Sequence, residues 1–252
     1  MRRDHSLCLW SLGYLDQARA LAYESIALAG QVSHPFSRGG ADFGTALTLS
    51  LLRDWPSTQM EVERVLRLAE EYALGDLFNH ASTLHALNLA YQTPTDAAIE
   101  QAKQSLASLR AKGVMMAMTW CLARLAEVLW LAGRSSEGLA AAAEALALVE
   151  QTGERHYESE IWRINGDLVL QAAASDAQVE AEGCYGRALA TARRQSGKTC
   201  ELRTATSLAR LWQQQGKIDE ARQLLAEIYG WFGEGFGTAD LQHAASLLEE
   251  LA

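Results

Sequence analysis

The segment from Glu201 to Phe232, ELRTATSLARLWQQQGKIDEARQLLAEIYGWF, carries two apolar stripes separated by a short polar turn. Ala205, Leu208, Ala209 and Trp212 recur at three- and four-residue steps, the period of one face of an α-helix. After Gln215-Gly216-Lys217, the same pattern returns in Ile218, Ala221, Leu224, Leu225 and Ile228. Gly216 can take the left-handed backbone that ends one helix and reverses the chain. Ala209 and Ala221 are small where the two helices meet, so the backbones can approach closely. A single pair of this kind cannot bury its own stripe and needs similar pairs on either side.

Such pairs recur. Small residues near the start of each second helix fall at Ala18, Ala98, Gly138, Ala181 and Ala221, at intervals of 80, 40, 43 and 40 residues. The first interval spans two periods and implies a degenerate copy that lacks the small anchor. Two helices in every 40 residues or so predict an all-α helical solenoid. The turns LGYLDQA (Leu12–Ala18), AGRSSEG (Ala132–Gly138) and QGKIDEA (Gln215–Ala221) are variants of one phrase. They resemble the GDYEEA turn of the tetratricopeptide repeat. The resemblance implies matching small or apolar positions at Ala126, Gly138 and Ala145 in one copy, and at Ala209, Ala221 and Ile228 in another. The expected architecture is a right-handed tetratricopeptide-like solenoid of about six two-helix repeats with a C-terminal capping helix. Residues 1–232 would form the array, its first repeat incomplete, and residues 233–252 a glycine-rich loop and capping helix of the same domain.

In chain order, residues 5–12 read as the tail of a first helix, with Leu15–Gln31 as its partner. His34-Pro35 breaks the chain before Phe36–Arg53. Asp54-Trp55-Pro56-Ser57 turns it into Thr58–Ala73, with Pro56 or Ser57 opening that helix. Leu77–Tyr91 follows, and Thr93-Pro94-Thr95 caps Asp96–Lys112. Val114–Leu131 pairs with the alanine-rich Ser135–Gln151, and Gly153–Leu170 with Gln178–Arg194. Thr238 is placed to N-cap Ala239–Leu251, with Asp240 suited to the positive end of the helix dipole. The chain opens on Leu7, Leu9, Trp10 and Leu12 with no earlier helix to cover them, so further repeats or another domain are expected upstream, or a covering surface supplied in trans.

Net charge narrows the partners. The 252 residues carry a formal charge of −9, and the pI is about 5.2. An acidic surface repels phosphate backbones, and the short basic pair Arg193-Arg194 reads as a solvated helix face, so no nucleic-acid partner is expected. Cys8, Cys121, Cys184 and Cys200 form no CxxC pair and read as small core residues in a reducing compartment. Met1-Arg2-Arg3, the stretch from Leu7 to Leu15 and Ala20-Leu21-Ala22 imitate a secretory leader. Ser11, Gly13 and Tyr14 interrupt that stretch and the repeat turn follows at once, so a cytoplasmic location is expected. No apolar run reaches the ~18 residues needed to span a bilayer.

Three strings then resemble more than a generic repeat: TGERHYESEIWRINGDLVL, YGRALATARRQSGKTCELRTATSLARLW and YGWFGEGFGTADLQHAASLLEEL. They are similar to the C-terminal tetratricopeptide-repeat region of a bacterial multidomain family. In that family a class III adenylate/guanylate cyclase or winged-helix domain precedes an AAA-type ATPase. The resemblance is specific from about Gly113 onward and implies a regulatory array in a signal-transduction ATPase system. Neither the cyclase nor the ATPase lies in these residues, so neither activity carries over to them.

Local motifs add no chemistry. Ser196-Gly197-Lys198-Thr199 imitates a phosphate loop, but Ala192 stands where the first glycine belongs and a helix precedes it, so Gly197 reads as a helix-ending residue. Gly233, Gly235 and Gly237 lack a preceding strand and read as a linker. His80 and His85 are five apart and lie on different helix faces, and His156 beside Glu154 and Glu158 has no clear further ligand. No metal, cofactor or catalytic residue is assigned, and an enzyme is not expected. What remains is surface. In the repeat, the first helix of each pair lines a concave groove, which projects Trp120, Glu127 and Trp130 from one copy. The next copies project Glu160, Arg163 and Asp167, then Arg203, Thr206, Arg210 and Gln213. Trp and Arg are common interface anchors. The expected function is non-catalytic protein–protein interaction. The partner is a protein or peptide segment, among which an ATPase or cyclase domain in cis or in trans is included. The alternative is a repeat domain that senses a small effector.

Overall fold

The computed structural model describes residues 2–32, 34–114 and 117–252. Among them the backbone forms thirteen α-helices and no strand. These are α1 (Arg2–Leu12), α2 (Leu15–Ala29), α3 (Pro35–Leu51), α4 (Trp55–Glu71), α5 (Gly75–Gln92), α6 (Asp96–Ala111) and α7 (Met118–Leu131). There follow α8 (Ser135–Thr152), α9 (Glu158–Ala172), α10 (Ala177–Arg194), α11 (Lys198–Gln214), α12 (Ile218–Tyr229) and α13 (Ala239–Glu250).

The chain divides into two compact units. One comprises Met1–Trp10 and Tyr14–Met115, and the other Ser11–Gly13 and Met116–Ala252. In the first, each helix from α2 to α6 packs on the next, and α3 also touches α5. In the second, each helix from α7 to α13 packs on the next. There α7 also touches α9, α9 touches α11 and α11 touches α13. Packing on the next helix and the next but one is the arrangement of stacked helix pairs, in which odd helices are the first members and even helices the second.

Small residues set the repeat. Ser6, Ala46, Ala86, Ala126, Gly166 and Ala209 occupy equivalent positions on the odd helices, at intervals of 40, 40, 40, 40 and 43 residues, and all are buried. On the even helices the buried series is Ala18, Thr58, Gly138, Ala181 and Ala221, with Ala98 half-buried. The copy expected to lack an anchor therefore has one. Thr58 fills it because its hydroxyl donates to the Asp54 carbonyl at 2.7 Å, which makes a polar β-branched residue acceptable in a buried contact.

The turns follow the same period. Gly13, Arg53, Gly133, Ala173 and Gly216 all have left-handed backbone after an odd helix, and Ala73, Gly113, Gly153 and Ser196 after an even one. Stacking imposes this conformation, and where glycine is absent the site is hard to recognise in sequence. At the Ser196-Gly197 turn it is Ser196, φ 56°, that is left-handed, while Gly197, φ −82°, is the N-cap of α11.

Several ends differ from expectation. The α4 N-cap is Asp54, whose carboxylate accepts the Ser57 N–H at 3.3 Å, so the helix starts before Pro56. Thr238 stands at the N-cap of α13, but its hydroxyl donates backward to the Gly235 carbonyl at 2.7 Å and caps nothing. The helix expected from Val114 begins at Met118, after left-handed Ala117, and residues 115 and 116 of that expectation lie outside the described residues. The expected helix from Gly153 starts only at Glu158. Thr95 caps α6 as expected, accepting the Ala98 N–H at 3.3 Å.

Candidate functional site

The ten projected residues all lie on α7, α9 and α11, but they do not form one open surface. Trp120, Glu127, Glu160, Arg163 and Arg203 are buried. Trp130, Asp167, Thr206 and Gln213 are half-buried, and Arg210 is exposed. Exposure rises toward the C-terminal half of each helix and along the array from α7 to α11.

The buried members have found one another. Glu160, with no exposed surface, is bridged by two guanidiniums: Arg163 Nε lies 3.2 Å from its Oε1, and Arg203 Nη1 lies 3.2 Å from its Oε2. Arg163 also reaches Glu127 on α7 at 3.1 Å and Asp167 one turn along α9 at 2.5 Å. Arg203 reaches Asp240 on α13 at 2.7 Å. Arg124 on α7 pairs with Glu127. The result is a ladder of alternating charge across four consecutive odd helices. Its origin is the repeat itself. Glu160 and Arg203 hold equivalent positions in neighbouring copies, and opposite charges at equivalent positions on adjacent helices meet.

Electrostatics follow from the burial. Loss of water pushes Arg163 and Arg203 toward the neutral form, but the carboxylates around them win, and both guanidiniums stay charged far above their ordinary range. Asp167 is raised above the usual carboxylate value by burial, against the pull of Arg163 and hydrogen bonds from Tyr185 and Ser207. The Tyr185 hydroxyl donates to Asp167 at 2.6 Å and is itself pushed up by burial and by that carboxylate. Trp120 is buried near the start of α7, and its indole N–H meets no acceptor among the described residues.

What stays accessible is a strip along the C-terminal halves of α7, α9 and α11. Trp130 lies at its α7 end, where its carbonyl accepts the Gln171 side-chain amide at 2.8 Å. Asp167 follows on α9. Thr206 is half-buried and donates to the Leu202 carbonyl at 2.8 Å. Arg210 stands 4.0 Å from Glu250 of α13, with both side chains half in water, so the pair holds Arg210 only weakly. Gln213 Nε2 lies 3.4 Å from the same carboxylate.

Arg124, Asp240 and Tyr185 were not among the projected residues. A signal existed only in part: Glu127 and Asp167 recur at 40 residues, the interval between Ala126 and Gly166, whereas Arg124, Arg163 and Arg203 stand 39 and 40 apart and fall out of step with the 40 and 43 of the small residues. Asp240 stands in the first turn of α13, as expected, and its carboxylate is also held by Arg203.

Other sequence candidates resolve plainly. Cys121, Cys184 and Cys200 are buried and unbridged, Cys8 is exposed, and burial pushes the Cys121 thiol up to about 12. Lys198 of the Ser-Gly-Lys-Thr string pairs with Glu201 at 2.7 Å. His85 contacts Gln59 at 2.7 Å, and His80 packs its ring 6.0 Å from Phe43. Among the described residues no three His, Cys, Asp or Glu side chains gather as metal ligands, and no helix is long and apolar enough to cross a membrane.

Solved structures share this architecture. NprR, solved in complex with its cognate peptide NprX, aligns over 99% of this chain and 70% of its own, with a TM-score of 0.66 and 14% identity. Yeast Tom70 aligns over 95% of this chain and 42% of its own, with a TM-score of 0.56 and 14% identity. The fold is a tetratricopeptide-like helical solenoid. No family model matches the chain, and neither does any curated protein sequence. At 14% identity the likeness extends to the path of the solenoid and not to its side chains.

Proposed function

We propose that this solenoid is a non-catalytic interaction module that binds a protein or peptide segment along the strip from Trp130 to Arg210. The observation that carries the reading is the division of the inner helices. Toward their starts and middles the charge ladder closes them, while nearer their C-terminal ends Trp130 and Thr206 are half-buried and Arg210 is a weakly held guanidinium within reach of solvent. Trp and Arg anchor interfaces well because each offers a large contact area with directional hydrogen bonding. NprR, whose path this chain shares, was solved with a peptide bound, and a peptide-sized partner fits the same reading here.

The resemblance of residues 113–252 to the repeat region of bacterial cyclase and AAA-type ATPase fusions supports a finer reading. In it the partner is an ATPase or cyclase domain of a signal-transduction system in the cytoplasm, engaged in cis or in trans. The module then acts by holding that domain in one state.

The test is capture of partners from native lysate by the tagged chain, beside a Trp130→Ala/Arg210→Glu variant, read by mass spectrometry. A partner carrying an ATPase or cyclase domain, retained by the wild type and lost with the double change, is the expected result. Arg203→Glu is unsuitable for this purpose, because it places a carboxylate among the buried carboxylates of Glu160 and Asp240 and tests folding instead. Partners retained equally by both proteins would refute the strip.

A further inference from the structure

We infer that the charge ladder makes α7, α9, α11 and α13 a single opening unit, with Glu160 as the link between its two halves. In most helical arrays each repeat contacts only its neighbours through apolar surface, so protection against opening declines gradually from the centre to the ends. Here the same four helices are joined by a second, stricter kind of contact. The rungs are Arg124–Glu127 within α7, Glu127–Arg163 from α7 to α9, Glu160–Arg203 from α9 to α11, and Arg203–Asp240 from α11 to α13. Every side chain in these rungs is at most 7% exposed.

A buried ion pair contributes little net stability when made, but breaking one strands a charge away from water. The helices therefore gain little from sharing the ladder and lose much by separating singly. If α9 moves alone, Arg203 loses Glu160 and Glu127 loses Arg163 at once. If α11 moves alone, Glu160 loses Arg203 and Asp240 does too. The low-energy way to open any rung is to open all of them together. The strip along the C-terminal halves of α7, α9 and α11 is thereby kept or lost as a whole. This inference does not depend on what the strip binds.

The Glu160 position makes the device testable. Glu160→Gln removes the charge shared between Arg163 and Arg203, and leaves Glu127–Arg163 and Arg203–Asp240 in place. Native-state amide exchange in the full chain should show one opening class for the core amides of α7, α9, α11 and α13 in the wild type. In Glu160→Gln that class should split into two, α7 with α9 and α11 with α13, at least about tenfold apart in exchange rate, since one partner of a buried pair has been removed. Leu225→Ala, which opens a cavity under α12 and touches no rung, should lower α12 protection but leave the four helices in one class. If Glu160→Gln does not fold, Glu127→Gln serves, and should detach α7 from a block of α9, α11 and α13. A graded series of protection in the wild type would overturn the inference. So would a single class that survives both substitutions, or a split produced equally by Leu225→Ala.

Discussion

Glycines on these helices carry opposite roles that only their surroundings distinguish. Gly166 of α9 faces Tyr185, and a Cβ there would lie 2.6 Å from the tyrosine Cε1. Tyr185 has no freedom to move aside, since its ring is buried and its hydroxyl holds Asp167 at 2.6 Å. Gly183 and Gly186 of α10 face open space. In chemical denaturation Gly166→Ala should destabilise the chain by about 1–3 kcal/mol through overpacking. Gly183→Ala and Gly186→Ala should each stabilise it by about 0.5–1 kcal/mol, the ordinary gain of alanine over glycine within a helix. Ala221, fully buried at the head of α12, belongs with Gly166. Ala221→Leu should cost about 1–3 kcal/mol, and a neutral result would mean that α11 and α12 meet elsewhere.

Between α3 and α4, two buried carboxylates share one guanidinium. Arg64 Nη2 lies 2.9 Å from Asp42 and Nη1 lies 3.4 Å from Glu61. Burial raises both carboxyls above their ordinary values, against the pull of Arg64, and Asp42 raises Glu61 further. One Glu61 oxygen has no hydrogen bond among the described residues. A carboxyl that holds its proton more tightly when folded favours the folded state while protonated. Its contribution is present at low pH and is lost as pH rises from about 4, where free carboxyls titrate, through the higher folded value. Exchange protection in α3 and α4 should fall as pH rises through that window, after correction for intrinsic exchange, and Asp42→Asn should flatten the profile. Glu201 of α11 carries the opposite sign. Burial works against its charge, but hydrogen bonds from Arg193 and Lys198 hold it below its ordinary value. Its contribution is present above the ordinary carboxyl range and is lost as pH falls through the lowered value. A rise in α3 and α4 protection with pH would mean that the pull of Arg64 outweighs burial at Asp42 and Glu61.

At the C-terminal end of the second unit, α13 packs on both α11 and α12 and supplies Asp240 to Arg203. Deleting 238–252 removes the apolar cover provided by Leu241, Ala244 and Leu247, all fully buried, and takes one carboxylate from a buried guanidinium. The shortened chain should self-associate in light scattering. A well-behaved monomer of unchanged stability would count against α13 as a cover. How much of the array was readable from residue order differs by kind of contact. The helix pairs from Val114 onward were legible because alanine and glycine mark close approach directly. In the copy around Thr58 the two helices and the turn at residues 54–57 were legible but the anchor was not, because a hydrogen-bonded threonine does the work of an alanine. The left-handed positions there were hidden too, since Arg53 and Ala73 stand where glycine is the recognisable choice.

Residue order alone determined the repeat. A period near 40, two helices per period and small residues at the contacts follow from local spacing, because helical periodicity and turn chemistry act over a few residues. It also placed the ten projected side chains on first helices, which are α7, α9 and α11. Which of them remain available to a partner is a matter of depth, and depth depends on how far neighbouring helices cover each other. Glu160 and Arg210 look alike in a sequence, as charges on the same face of a first helix. Packing seals Glu160 between two guanidiniums and leaves Arg210 half in water beside Glu250, because a pair on successive odd helices is shut off from solvent only where the surrounding packing covers it.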